Sequence, residues 1–204
     1  MKLYTSVGPN PRVVRMFLAE KGVDLETAAV DLRSGENRRE PYLKLNPAGQ
    51  TPALEMDDGA VVTEVTAICE YLEERHPSPA LIGTTAEERA QTRMWTRRVD
   101  LKVCEPMANG FRFGEGLAMF QDRMRCLPDS APGLKLMAKD GLEWLEAQFQ
   151  GPWLVGERFT LADILLFCIV DFGAVVGQPL DPGLPKLNDW LARVKGRPSA
   201  PASA

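Results

Sequence analysis

The stretch 45-LNPAGQTPALEMDDGAVVTEVTAICEYL-72 decides how the chain is read. Pro52 precedes the apolar pair Ala53-Leu54, and Asp58-Gly59 is a dipeptide that tight hairpin turns favour, because glycine accepts a positive φ without steric cost. Residues 53–56 and 60–63 therefore read as the two strands of a hairpin. From Glu64 onward the spacing changes: Val65, Ile68, Cys69 and Leu72 fall at i, i+3, i+4 and i+7, one face of a helix. Thr63 is the expected N-cap, with Glu64 in the first turn near the positive end of the helix dipole. An acidic side chain, uncommitted N–H groups at a helix start and a turn thus meet at one sheet end. That set suits a small zwitterion, with Glu64 for an ammonium and the helix start for a carboxylate; the plainer alternative is that Glu64 only complements the dipole of an ordinary helix.

Working outward, Lys2 to Thr5 reads as a strand and Ser6 to Pro11 as a turn-rich loop. A helix carrying Val13, Val14, Phe17 and Leu18 follows, ended by Lys21-Gly22, and a second strand lies near 27–30. The order β-loop-α-β and then hairpin-α favours a mixed sheet with helices on its faces. Thr51-Pro52 is a plausible cis peptide, since only X–Pro bonds adopt cis cheaply. Pro77-Ser78-Pro79 breaks the helix after residue 75 and starts a linker. Beyond it the patterns are helical: 86 toward 107, a looser part with Gly110, Gly114 and Gly116, a resumption near Leu117, then 134–149 and 161–170, with a last helix over 184–194 and a fraying tail from Pro198. Thr160 and Asp163 form a capping-box pair, with Phe159 and Ile164 at the staple positions. The organisation read from this is 1–77, a linker over 78–85, and an all-helical domain over 86–204.

Composition narrows the function. With 204 residues, 45% apolar, 25% charged and a net charge of −4, the chain is an ordinary globular one with no basic balance to attract nucleic acid or an anionic membrane. No apolar run approaches membrane-spanning length. The four cysteines, Cys69, Cys104, Cys126 and Cys168, form no CxxC, and His76 is the single histidine, so no metal-ligand cluster is expected. Cys69 and Cys168 read as buried small hydrophobes. Nothing at the N-terminus looks like a signal peptide, which makes the cytoplasm the expected compartment.

The motif is similar to the glutathione-binding half of the glutathione S-transferase superfamily, with its N-P-x-G-x-V-P-x-L segment, hairpin and E-S-x-A-I-x-x-Y-L helix. The matching residues are Asn46, Pro47, Gly49, Pro52, Leu54, Glu64, Ala67, Ile68, Tyr71 and Leu72; Thr51 replaces the usual Val, and Val65 the usual Ser. The resemblance implies a thioredoxin-like α/β domain followed by an all-α helical-bundle domain, and a homodimer using glutathione as co-substrate with no metal. The expected activity is conjugation of the glutathione thiolate to small apolar electrophiles. Glutathione-dependent disulfide reduction or peroxidase chemistry, and a non-catalytic interaction scaffold, are the alternatives. The implied glutathione contacts are Asn37 and Arg38 for the glycyl carboxylate, Gln50 at the glycine end, the main chain of Thr51 before Pro52, and Glu64 with the backbone at Val65. Residues 4–12, YTSVGPNPR, hold no cysteine, which disfavours a protein thiol there. The serine used by several branches falls on Gly8. The thiolate-stabilising group is therefore open between Ser6, Asn10 (otherwise a helix cap) and a water held by the helical domain near Asn109. Met94, Trp95, Met107, Phe111 and Phe113 are candidates for the electrophile pocket, with core packing as the alternative.

Overall fold

The structure, a computed structural model, describes residues 1–204 and divides into two compact units, Met1–Leu81 with Pro198–Ala204, and Ile82–Arg197. In the first unit β1 (Lys2–Thr5), β2 (Glu26–Ala29), β3 (Ala53–Glu55) and β4 (Val61–Thr63) form a sheet of order β2-β1-β3-β4. The β1–β2 pair is parallel, and β3 is antiparallel to both β1 and β4. This is the mixed thioredoxin-like sheet that the β-loop-α-β and hairpin pattern implies. Leu3, Leu54 and Val62 stand opposite one another and so share a face of the sheet; Leu3 and Leu54 are fully buried. The core of the unit also takes Val14 and Phe17 of α1 (Pro9–Lys21) and Ile68, Cys69 and Leu72 of α3 (Val65–Arg75), which are fully buried as well. Gly22 ends α1 in the left-handed conformation that a C-terminal glycine supplies. The short α2 (Tyr42–Leu45) lies between β2 and β3 in sequence.

Lys21 is almost wholly buried, which a lysine tolerates only when paired. Its ammonium meets the Glu73 carboxylate and donates to the Pro79 carbonyl at 2.5 Å, so an ion pair of α1 and α3 also fastens the segment that follows α3.

The tail departs from the sequence reading. Instead of fraying with the helical domain it turns into α10 (Ser199–Ala202) within the first unit, with Ser199, Ala200 and Ser203 buried. The cause is in α1: Arg12 and Arg15 donate to the tail's carbonyls at 3.2 Å and 3.0 Å, bonds that a Pro/Ser/Ala composition does not announce.

The second unit is helical, with α4 (Ala86–Val99), α5 (Glu105–Phe113), α6 (Leu117–Phe120), α7 (Ala131–Gln148), α8 (Leu161–Val175) and α9 (Pro185–Lys195). The expected break near residue 107 lies further on. A widened turn of π type over Asp100–Cys104 joins α4 to α5, and the helix continues through Gly110 to Phe113. Pro106 sits in the first turn after that bulge, where its missing N–H costs least. Gly141 of α7 packs directly on the Lys102 backbone, where a methyl group would collide. No helix is long and apolar enough to cross a membrane.

The capping-box reading holds at α8, and its acid does more than cap. The buried Asp163 carboxylate accepts from the Leu154 N–H (2.9 Å), the Trp190 indole (3.0 Å), and the Thr160 N–H and hydroxyl (3.0 and 3.2 Å). One side chain thereby ties α8 to α9 and to the loop before α8. Burial pushes its pKa up to about 6, against the pull of these four donors. The folded chain consequently holds the proton more tightly than the unfolded chain does, and the contribution of Asp163 to stability declines as pH rises from about 4 to about 6. Asp163→Ala is predicted to cost about 3–5 kcal/mol near pH 4 by stranding these donors. In urea unfolding the gap to the unaltered protein should narrow toward pH 7, by no more than about 3 kcal/mol.

Candidate functional site

The sheet register gathers the site. Tyr4 pairs with Ala53, and Ala53 with Thr63. One step further along each strand lie Thr5, Pro52 and Glu64, and then Ser6, Thr51 and Val65. Three segments remote in sequence therefore end together, and the Ser6 and Thr51 hydroxyls are 2.5 Å apart. Ser6 also donates to the Val7 carbonyl at 3.2 Å. The Thr51-Pro52 peptide is cis, as the sequence suggests.

Glu64 departs from its expected place in the first helical turn. It is itself the N-cap residue of α3, at φ 67 and ψ 124, and is the one non-glycine residue with positive φ in the chain. Thr63 ends β4 instead of capping. The left-handed region costs a non-glycine residue on the order of 1–2 kcal/mol. The hairpin register and the start of α3 over-determine the position between them. Glu64 is exposed, and no side chain caps the first turn of α3, so its N–H groups stay open to a ligand.

The helix behind the first loop differs in a similar way. Gly8 is the N-cap of α1 at φ 117 with Pro9 at the first position, and Asn10 forms no cap. Prolines at 9 and 11 carry no N–H, so of the first four backbone positions only Gly8 and Asn10 offer a donor. Asn10 is exposed at this end.

The loop at Gly49-Gln50-Thr51 is fastened from behind. Tyr42 and Asn46 both donate to the Gln50 carbonyl, at 2.6 and 2.8 Å, and Asn37 donates to the Gly49 carbonyl at 2.6 Å. Desolvation pushes the Tyr42 phenol up to about 12, so it stays a neutral donor throughout the neutral range. Asn37 is buried, and this bond makes it a brace for the loop. Its Oδ1 is enclosed without a hydrogen-bond partner. Arg38 is exposed and runs across Gly49: a Cβ built on that glycine would stand 3.2 Å from Nη1. Gln50 is exposed and Thr51 half-buried. The sequence motif marks Asn46 and Gly49, whereas nothing in it marks Tyr42; the regular spacing of a helix would have been the only cue, and α2 has a single turn.

A guanidinium, the main chain of half-buried Thr51 before a cis proline and a carboxylate at an open helix start thus follow one another along one end of the sheet. Such a series matches an extended peptide with a carboxylate at one end and an ammonium at the other, its middle paired by backbone hydrogen bonds. In the helical unit, Asn109 is engaged on both sides, donating to Glu105 at 3.3 Å and accepting from Arg112 at 2.9 Å. Met107 is core, Met94 is exposed, Trp95 lies tilted against Trp144, and Phe111 lies edge-on to Phe120 and Phe172. The structure has no cluster of His, Cys, Asp or Glu able to hold a metal ion. Gly49→Ala is predicted to lower stability by about 1–3 kcal/mol, because its Cβ would meet the Asn37 carbonyl at 2.8 Å on a backbone at φ 62; a thermal melt checks this.

Comparison with known proteins agrees with this fold. Profiles described as the glutathione S-transferase N-terminal and C-terminal domains match residues 7–75 and 129–198. Protein LigF of Sphingobium sp. is 33% identical over 98% of this chain and 91% of its own length. A maleylacetoacetate isomerase of Pseudomonas aeruginosa is 45% identical over 46% of this chain and 45% of its own length. Among solved structures, Gtt2 from Saccharomyces cerevisiae superposes with a TM-score of 0.92 at 27% identity, covering 100% of both chains. Fold, profiles and relatives converge: the chain belongs to the glutathione S-transferase superfamily.

Proposed function

We propose that the protein is a glutathione transferase that conjugates the glutathione thiolate to small apolar electrophiles. The observation that carries this reading is the alignment of Ser6, Thr51 and Glu64 at one end of the sheet, with Glu64 held in a strained conformation beside an open helix start. In this reading Glu64 takes the γ-glutamyl ammonium and the N–H groups at Val65 the adjacent carboxylate. The main chain of Thr51, next to the cis bond to Pro52, pairs with the cysteinyl residue. Gln50 and Arg38 take the glycine end, and Asn37 holds the loop that presents them. Val65 supplies no hydroxyl, so the backbone carries that end of the ligand.

The thiol then lies at the first loop. Thr51 donates into Ser6, and the Ser6 hydroxyl turns from the Val7 carbonyl toward the sulfur. The Asn10 N–H, at the positive end of α1, adds to the field that favours the anion. A free thiol titrates near 8.5, so a lowering of about 2 units makes thiolate the main form at neutral pH. The sulfur attacks the electrophilic carbon, the carbon–sulfur bond forms and the leaving group departs. The reading includes a homodimer in the cytoplasm, as is usual for this superfamily. The absence of cysteine from residues 4–12 argues against a protein thiol as nucleophile. A disulfide reductase using glutathione's own thiols is separated by assaying glutathione disulfide adducts against a chloronitroaromatic.

Calorimetric titration with reduced glutathione tests the assignment. Saturable binding is expected, weakened about 30- to 100-fold in Glu64→Ala through loss of a charge-assisted hydrogen bond worth roughly 2–3 kcal/mol. Unchanged affinity in that variant would remove Glu64 from the site, and no binding of millimolar glutathione to the unaltered protein would favour a non-catalytic scaffold.

A further inference from the structure

We infer that Arg15 and the C-terminal segment Pro198–Ala204 form a clamp that positions the Ser6 loop, and that both are positioning residues of the site; this rests on reading Ser6 as the thiol end. A chain end rich in proline, serine and alanine is expected to be mobile. Here Ser203 is fully buried and Ser199 nearly so, and polar groups are buried at a terminus only when partners satisfy them. The partners come from α1. The Ser199 hydroxyl bonds Glu20. Arg12 reaches the Ala200 carbonyl at 3.2 Å and the Ser203 hydroxyl at 3.4 Å, and that hydroxyl donates back to the Ala200 carbonyl at 3.0 Å.

Arg15 makes the connection to the site. Its Nε donates to the Ser203 carbonyl at 3.0 Å, while its Nη1 donates to the Thr5 hydroxyl and the Ser6 carbonyl, each at 2.9 Å. The guanidinium is a rigid plane with N–H groups in fixed directions, so holding one edge on the tail fixes the other edge on the loop. The Ser6 carbonyl is thereby set, and with it the direction in which the Ser6 hydroxyl meets Thr51. The half-buried guanidinium also places a positive charge behind a loop that is to face a sulfur anion, and an opposite charge nearby favours the ionised form. A bond geometry that only a fork supplies distinguishes this arrangement from charge alone, because lysine would keep the charge and lose the fork.

The test compares the full chain with Arg15→Lys, Arg15→Ala and a chain ending at Arg197. Two readouts are taken: the pH titration of the ultraviolet absorbance of bound glutathione thiolate, with kcat and KM, and hydrogen exchange of residues 5–9 without glutathione. In Arg15→Lys and in the shortened chain the thiolate pKa is expected to rise by about one unit, with kcat at neutral pH falling about three- to fivefold and KM for glutathione changing by less than about twofold. Exchange of residues 5–9 is expected to quicken in both. An unshifted thiolate titration together with unchanged exchange, whatever the loss of thermal stability, overturns the clamp. If the shortened chain does not fold, Arg15→Lys carries the same decision. If the unaltered protein binds no glutathione, the functional reading fails, and the exchange of residues 5–9 still decides whether tail and Arg15 hold the loop.

Discussion

Pairing of β3 with a neighbour on each side is the constraint from which the rest of the site follows. A three-residue strand has little stability of its own, yet its register places Tyr4, Ala53 and Thr63 in one row across the sheet. Because a slip of one residue would turn Leu54 out of the core, the register is tightly specified. Everything beyond that row then has its place determined: the hydroxyls of Ser6 and Thr51 meet, and Glu64 is caught between the end of a strand and the start of a helix. The strain at Glu64 is sustained by the hairpin on one side and the buried face of α3 on the other. The candidate site is thus a by-product of strand pairing: backbone register sets the positions of Thr51 and Val65, so their side chains can depart from the usual ones while the geometry stays in place.

A second layer of bonds fixes the loops at this end of the sheet. Tyr42, Asn46 and Asn37 hold the carbonyls of Gln50 and Gly49 from behind, and Arg15 holds the carbonyl of Ser6. Polar side chains behind these loops thus remove their freedom in advance of any ligand. The helical unit is organised by one comparable residue, Asp163, whose carboxylate gathers donors from three segments at a desolvation cost.

Much of this was legible in the sequence. The Asp58-Gly59 turn, the change from strand to helix spacing at Glu64, the Gly22 stop and the Thr160–Asp163 pair are local signals with local causes, and each appears in the structure in its expected form or within a residue of it. What was not legible depends on distant partners. Asn10 and Thr63 have the right chemistry to cap, but backbone geometry gave those positions to Gly8 and Glu64. Asn37 looked like a surface ligand and is braced inward by a carbonyl twelve residues away. The tail looked loose because the arginines that hold it lie some 190 residues earlier. The helix through Gly110 continued because neighbouring packing outweighs the weak propensity of one glycine.

The measurement that bears most directly on the account is an amide NMR titration of the full chain with reduced glutathione. Saturable shifts concentrated at Ser6, Gln50, Thr51 and Val65, with the Leu154 and Thr160 signals around Asp163 unmoved, are the predicted result. Shifts that leave Thr51 and Val65 unaffected while other surfaces respond would contradict a site built on the backbone at this end of the sheet.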